Sequence, residues 1–204
     1  MPGTVYEFSE RTADPDPFRQ FSAWQGERPL PPYEEAGACI IATAGRDGKP
    51  SARAVLVKEV TSDGFIFYTN YNSRKGVQIG ENPHGAMLFF WPEMHRQVRI
   101  EGLIEKVSVV KSEWYFAKRT RPSQLAAWAS NQSHPVSDRG TLESMAGHYM
   151  TKFENGPVPR PLYWGGYILK PAWFEFWQEG KDRLHDRIAY TYTGGVWKKE
   201  RLAP

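Results

Sequence analysis

An antiparallel β-barrel with helices at its periphery is the fold this sequence predicts, and three observations carry it. From Ala38 onward, apolar and β-branched runs follow one another with turn signals between them. Asp47-Gly48, Asp63-Gly64 and Gly194-Gly195 sit between such runs, where glycine accepts the positive φ of a tight turn. Six or more strands against three or four helices favour a closed antiparallel sheet over a layered α/β fold.

Residues 1–15 are polar and ring-poor and end in Asp14-Pro15-Asp16-Pro17, which reads as a mobile arm ahead of a single domain over 16–204. A short helix is expected over 18–24, before Pro29, Pro31 and Pro32 break the chain. Strands follow over 38–44, 51–60 and 65–70. Ser73 is placed to cap a helix over 73–81 that Asn82-Pro83 stops. Residues 86–91 are apolar throughout, which predicts a strand buried on both faces. In the strand over 96–107, Val98 and Ile100 point one way and Gln97, Arg99 and Glu101 the other. Helices are expected over 109–118 and along the apolar stripe Leu142, Met145, Tyr149 and Phe153. Strands over 164–177 and 188–202 complete the chain.

At 204 residues the chain suits one domain with a full core. Hydrophobic residues at 40% and charged residues at 24% argue against disorder. Aromatics reach 14%, and most read as core. A net charge of +3 and a pI near 8.9 fall short of the basic stripe that binds nucleic acid, so the cations matter by position. The lone Cys39, in an apolar run, excludes an intrachain disulfide and suits a reducing compartment. His84, His95, His134 and His148 form no pair at ligand spacing, so no metal site is expected. No window approaches the roughly 18 apolar residues of a membrane span, and residues 1–7 lack a signal core, so a cytoplasmic protein is expected. There is no Walker loop, no GxGxxG fingerprint, and no nucleophile elbow around Ser133 or Ser137 beside His134.

Three constellations remain. Arg74-Lys75 after Ser73 puts two cations in the first turn of a helix, where the dipole disfavours them unless an anion is bound; a solvated turn is the plainer reading. Arg53 lies on a neighbouring strand, and strict alternation sends Lys58 to the opposite face, so the pair needs two anions or an irregular strand. Tyr115 and Arg119 share a helical face, and Pro122 forces Arg121 out of the helix and starts the next, with Ser123 in its first turn. Finally, Arg183, His185 and Arg187 alternate, so a strand would show all three on one face.

Together these residues resemble the pyridoxamine 5'-phosphate oxidase family. The resemblance rests on Arg53 to Lys58, Phe67-Tyr68-Thr69-Asn70, Ser73-Arg74-Lys75-Gly76, the run from Arg96 to Gly102, Ser123-Gln124 and Gln132-Ser133. It continues through Trp164-Gly165-Gly166-Tyr167, Glu175-Phe176-Trp177-Gln178, Arg183 to Arg187 and Glu200-Arg201-Leu202-Ala203-Pro204, in the family's order. It implies an FMN-binding split-barrel homodimer with FMN in each of two clefts at the subunit interface. Arg53, Arg74 and Lys75 would hold the FMN phosphate, Lys58 would also count among the FMN contacts, and Tyr68, Thr69, Gln97, Gln132, Ser133, Trp177 and Arg187 would line the flavin. Lys58, Tyr115, Arg119 and Ser123 would clasp the substrate phosphate, while Arg183 and His185 would cover the pyridine ring as the catalytic pair.

The implied reaction converts pyridoxine 5'-phosphate and pyridoxamine 5'-phosphate to pyridoxal 5'-phosphate, with O2 as acceptor and H2O2 as product. Because the flavin does the redox chemistry, the protein's task is to stack two rings and fix two phosphates. Two other readings stand beside it: a split-barrel oxidoreductase acting on another ring, such as a phenazine precursor, and a noncatalytic flavin or pyridoxal-phosphate carrier. Family members often carry an Arg-Arg-x-Tyr segment that closes over the substrate, and the arm here, Tyr6-Glu7-Phe8-Ser9-Glu10-Arg11, departs from it. Glu35 falls near a position where the family often has an acid.

Overall fold

The computed structural model describes residues 8–29 and 37–204, so Tyr6 and Glu35 lie outside the described residues. Helix α1 (Pro17–Glu27) starts where Asp16 accepts a hydrogen bond from the Phe18 amide at 2.8 Å and Pro17 fills the first turn. Its Phe21 and Trp24 are buried against Phe65, Phe89 and Phe176 of the sheet.

Eight strands form one antiparallel sheet: β1 (Ala38–Ala44), β2 (Pro50–Thr61), β3 (Gly64–Asn70), β4 (His84–Trp91), β5 (Arg96–Lys106), β6 (Trp164–Gln178), β7 (Asp186–Thr193) and β8 (Val196–Arg201), in the order β3-β2-β1-β4-β5-β6-β7-β8. Pairing of β3 with β6 closes the first six into a barrel. The long β6 makes this possible, because its first half pairs with β3 while its second half, from Trp173, pairs with β7. The barrel is therefore split, with β7 and β8 extending outside it. Inside, Phe65, Phe67, Phe89, Trp91, Phe174 and Phe176 are fully buried. Each such side chain contributes about 1.5–3 kcal/mol.

Five α-helices surround the sheet, rather than the three or four expected. Helix α2 (Arg74–Glu81) lies between β3 and β4, while α3 (Val109–Lys118), α4 (Arg121–Ala129) and α5 (Arg139–Lys152) fill the crossover from β5 to β6. A second cluster of Phe116, Ala127, Val158 and Trp164 seats α3 and α4 on the barrel wall.

Four expectations need correction. The arm expected to be mobile is docked from residue 8: Phe8 is 6% exposed against Trp24 and Phe176, and Lys199 Nζ donates to the carbonyls of Glu10 and Ala13, both at 2.7 Å. Its docking surface comes from the far end of the chain, which no local pattern announces. Strand β4 is buried on one face alone, through Met87, Phe89 and Trp91, while Phe90 is 56% exposed because no second layer among the described residues covers the outer face. Helix α5 buries none of its residues; Tyr149 meets Trp128, as does Phe153 just beyond the helix, but Leu142 and Met150 stay exposed. The alternation from Arg183 to Arg187 is broken, because Lys181–Arg183 is a 3-10 turn with Asp182 and Arg183 at φ 55 and 64, and the strand begins at Asp186. Those left-handed residues are not glycines, so nothing in the residue types marks the turn.

Candidate active site

The first anion position is built at the start of α2. Ser73 caps the helix as expected, its buried hydroxyl accepting from the Gly76 amide and donating to the Asn70 carbonyl at 2.7 Å. Gly76 has no room for a side chain, since a Cβ would meet the Tyr71 carbonyl oxygen at 2.1 Å. This tight turn delivers Lys75 inward, 8% exposed, where Nζ donates to Thr69 Oγ1 at 3.1 Å and Gln132 Oε1 at 3.2 Å. These partners are neutral, so burial, and then the charge of Arg53, pushes the ammonium down to about 8. Arg53 donates through Nη1 to Thr43 Oγ1 at 2.7 Å and to the Ile41 carbonyl at 3.3 Å, and through Nη2 to Ser51 Oγ. Burial, and then Arg74, holds Arg53 below the usual guanidinium range. Arg74 itself is exposed. Arg53, Arg74 and Lys75 thus gather as expected, and the acceptors around Arg53 and Lys75 are hydroxyl, amide and carbonyl oxygens.

Beside them opens a cavity of about 710 Å³. Lys75, Thr69, Tyr68 and Gln132 line one part of it, and Lys58, Tyr115, Arg119 and Ser123 another. Strand β2 is irregular at Lys58, where its register with β3 shifts between Val57 and Glu59. The bulge does not unite Lys58 with Arg53: Lys58 lines the cavity with Ala54 and Leu56, while Arg53 turns back against β1 and α2. Two separate cationic positions follow.

Tyr115 and Arg119 do reach the same cavity, though not as one helical face. Helix α3 ends at Lys118, and Arg119 is its extended C-cap. Arg121 is inside α4 rather than before it, with Pro122 second and Ser123 third in the helix. Thr120 Oγ1 donates to Ser123 Oγ at 2.9 Å. Tyr115 stacks on Tyr68 with ring centroids 3.8 Å apart, and the Arg119 guanidinium lies 4.6 Å from the centroid of the Trp164 ring. Trp164 lies outside the site residues expected from sequence, although Trp164-Gly165-Gly166 flags a ring beside a close backbone approach. Burial holds Arg119 below the usual guanidinium range, and its Nη1 is buried with no hydrogen-bond partner among the described residues. An orphaned cationic donor at a cavity wall calls for an anion.

The remaining residues lie elsewhere on the chain. Gln97, Trp177 and Arg187 are cross-strand neighbours on β5, β6 and β7. Arg187 Nε donates to Glu175 Oε1 at 2.9 Å, and the same carboxylate, 1% exposed, takes Arg99 Nη1 at 3.0 Å. His185 packs 4.7 Å from the Trp177 ring, and its Nδ1 accepts from the Gly180 amide at 3.2 Å. That bond places the proton of the neutral ring on Nε2. Gly180 is confined as well, since a Cβ would meet the Leu184 carbonyl oxygen at 1.9 Å. Arg183 is exposed on the adjoining turn. None of these residues lines the cavity that holds Lys58 and Arg119. Ser133, at φ 73, borders a neighbouring groove that it shares with Gln132. Among the described residues no cluster of His, Cys, Asp and Glu could hold a metal.

Residues 31–149, more than half of the chain, match the family described as pyridoxamine 5'-phosphate oxidase. The chain belongs to the pyridoxamine 5'-phosphate oxidase family. Residues 164–204 match that family's C-terminal dimerisation region. The chain is 49% identical over 197 residues to a pyridoxine/pyridoxamine 5'-phosphate oxidase of Cupriavidus metallidurans, covering 96% of this chain and 92% of the relative. A Rubrobacter xylanophilus protein of the same description is 48% identical over 196 residues, covering 96% and 90%. Among solved structures, PhzG from Burkholderia lata, in complex with tetrahydrophenazine-1-carboxylic acid, matches with a TM-score of 0.90 at 29% identity over 99% of this chain and 100% of that one. An FMN-binding, pyridoxamine 5'-phosphate oxidase-related protein from Nostoc punctiforme shares the fold, with a TM-score of 0.71 at 18% identity over 92% and 97% of the two chains. Family membership makes the chain a flavin oxidoreductase of the split-barrel kind. The residues present fit FMN: a buried lysine without a carboxylate, backed by Arg53 and Arg74, suits its phosphate.

Proposed function

We propose that the protein oxidises pyridoxine 5'-phosphate and pyridoxamine 5'-phosphate to pyridoxal 5'-phosphate, with FMN as cofactor, O2 as electron acceptor and H2O2 as product, the amine substrate also taking up water and releasing ammonia. The observation that carries this reading is a second anion position in the cavity of the first: Arg119, with its orphaned Nη1, beside Lys58 and Ser123. One phosphate belongs to the flavin at Lys75. The other belongs to the substrate.

Bound FMN supplies the two-electron acceptor that dioxygen regenerates, and the chain's own residues do the rest. Lys75, Arg53 and Arg74 hold the cofactor phosphate. Lys58, Arg119, Ser123 and Tyr115 hold the substrate phosphate, and energy from that remote contact orients the carbon to be oxidised. His185, with Nδ1 occupied by Gly180, offers Nε2–H to an acceptor on the substrate ring, and Arg183 adds a positive charge beside it.

A homodimer completes the site in this reading. His185 and Arg183 lie off the cavity of their own protomer, while the outer sheet face exposes Phe90 and Ile40. A two-fold pairing on that face brings the 183–187 segment of one protomer to the cavity of its partner.

Addition of pyridoxine 5'-phosphate to the purified yellow protein should release H2O2, with unphosphorylated pyridoxine turned over far more slowly. A carrier would release none. The likeness to PhzG favours a second reading, an oxidase of another ring system. Equal rates on phosphorylated and unphosphorylated rings would favour it over the one above.

A further inference from the structure

Gln78 does not line the cavity, yet it stands behind the cofactor end of it. It lies on α2 one turn past Arg74 and Lys75 and is 8% exposed. Its Oε1 accepts from two hydroxyls, Thr43 Oγ1 on β1 and Ser51 Oγ on β2, both at 2.7 Å. A hydroxyl has a single proton to donate. With that proton given to Gln78, each hydroxyl can only accept from the other side, and what lies there is Arg53, through Nη1 to Thr43 and Nη2 to Ser51, with Nη2 also making a long contact of 3.5 Å to Gln78 Oε1 itself.

We infer that Gln78 is a positioning residue for the cofactor phosphate, acting through Thr43 and Ser51 to hold Arg53 in the cation cluster without cancelling its charge. The inference rests on the assignment of Arg53 and Lys75 to the FMN phosphate.

Two physical points support it. Arg53 is repelled by Arg74 and in turn bears on Lys75, so in the absence of an anion a flexible guanidinium would leave for water unless acceptors held it. The acceptors that hold it are neutral. Elsewhere the same fold restrains arginines with carboxylates: Arg99 and Arg187 share Glu175, and Arg28 pairs with Glu93 at 2.7 Å. A carboxylate at position 78 would hold Arg53 equally well and remove the net charge that a phosphate needs. An amide fixes the geometry and leaves the field intact.

The test uses the full chain freed of flavin and titrated with FMN and with riboflavin, which lacks the phosphate. Wild type should bind FMN more tightly than riboflavin. Gln78→Glu should weaken FMN about tenfold or more, on the scale of a charge-assisted contact, and leave riboflavin unchanged. Gln78→Met, which keeps the volume but frees both hydroxyl protons to face Arg53, should act in the same direction. Ser51→Ala, on a less buried strand position, gives a milder version of the same selective loss. In an Arg53→Met background the Gln78 substitutions should shift FMN affinity less than twofold. Unchanged FMN affinity, an equal loss for FMN and riboflavin, or additivity with Arg53→Met would overturn the inference. A wild type that does not prefer FMN to riboflavin would overturn the cofactor assignment itself, and is seen before any variant is compared.

Discussion

Lys75 carries its charge against its surroundings, which makes both stability and cofactor affinity depend on pH. Its folded pKa of about 8 lies below the value of about 10.4 for an unfolded lysine, so between the two the folded chain binds fewer protons. The cost of burying the ammonium is therefore complete below about pH 8, and flavin-free stability from this group rises between about pH 8 and about pH 10.4. Phosphate needs the charged form. FMN affinity should fall as pH rises through about 8, and Lys75→Met should flatten that profile in fluorescence titrations. Arg119 supports a complementary expectation. Arg119→Met should lower kcat/KM for pyridoxine 5'-phosphate by about tenfold to a hundredfold, the scale of a lost charged hydrogen bond, while FMN affinity holds. Loss of flavin instead would place Arg119 at the wrong phosphate.

Short-range structure decides how sharply these side chains are aimed. The cap at Ser73 fixes the turn that sends Lys75 inward, and its hydroxyl is buried between a donor and an acceptor. Ser73→Ala should cost about 0.5–2 kcal/mol in thermal or urea unfolding and also weaken FMN binding. A loss of stability with no effect on flavin would separate the cap from the site. This cap was readable from Ser73 followed by a short periodic run that ends at Asn82-Pro83. The same reading failed at residues 183–187, because alternation speaks only for strands and Asp182 and Arg183 take left-handed turn geometry. It failed again at Arg119, which proved to be a C-cap rather than a helical neighbour of Tyr115.

In the proposed homodimer, assembly sets the last requirement. The outer sheet face carries Phe90 and Ile40 in the open, and the 183–187 segment stands away from the cavity. Phe90→Glu should shift the protein from dimer to monomer in analytical ultracentrifugation and lower FMN occupancy with it. A monomer with full flavin content would show that one chain suffices.

Most strands, the Asp-Gly and Gly-Gly turns and the α2 cap are properties of residues near one another in the chain, and periodicity and turn pairs reported them. So did the family resemblance, which sums many such blocks in order. Packing across the sheet settled what spacing could not. It docked residues 8–15 on β7 and β8, turned Arg53 away from Lys58, set Gln78 behind Arg53 and left one face of β4 uncovered. Each of those outcomes depends on which distant residue occupies the neighbouring volume, and a local pattern carries no record of it.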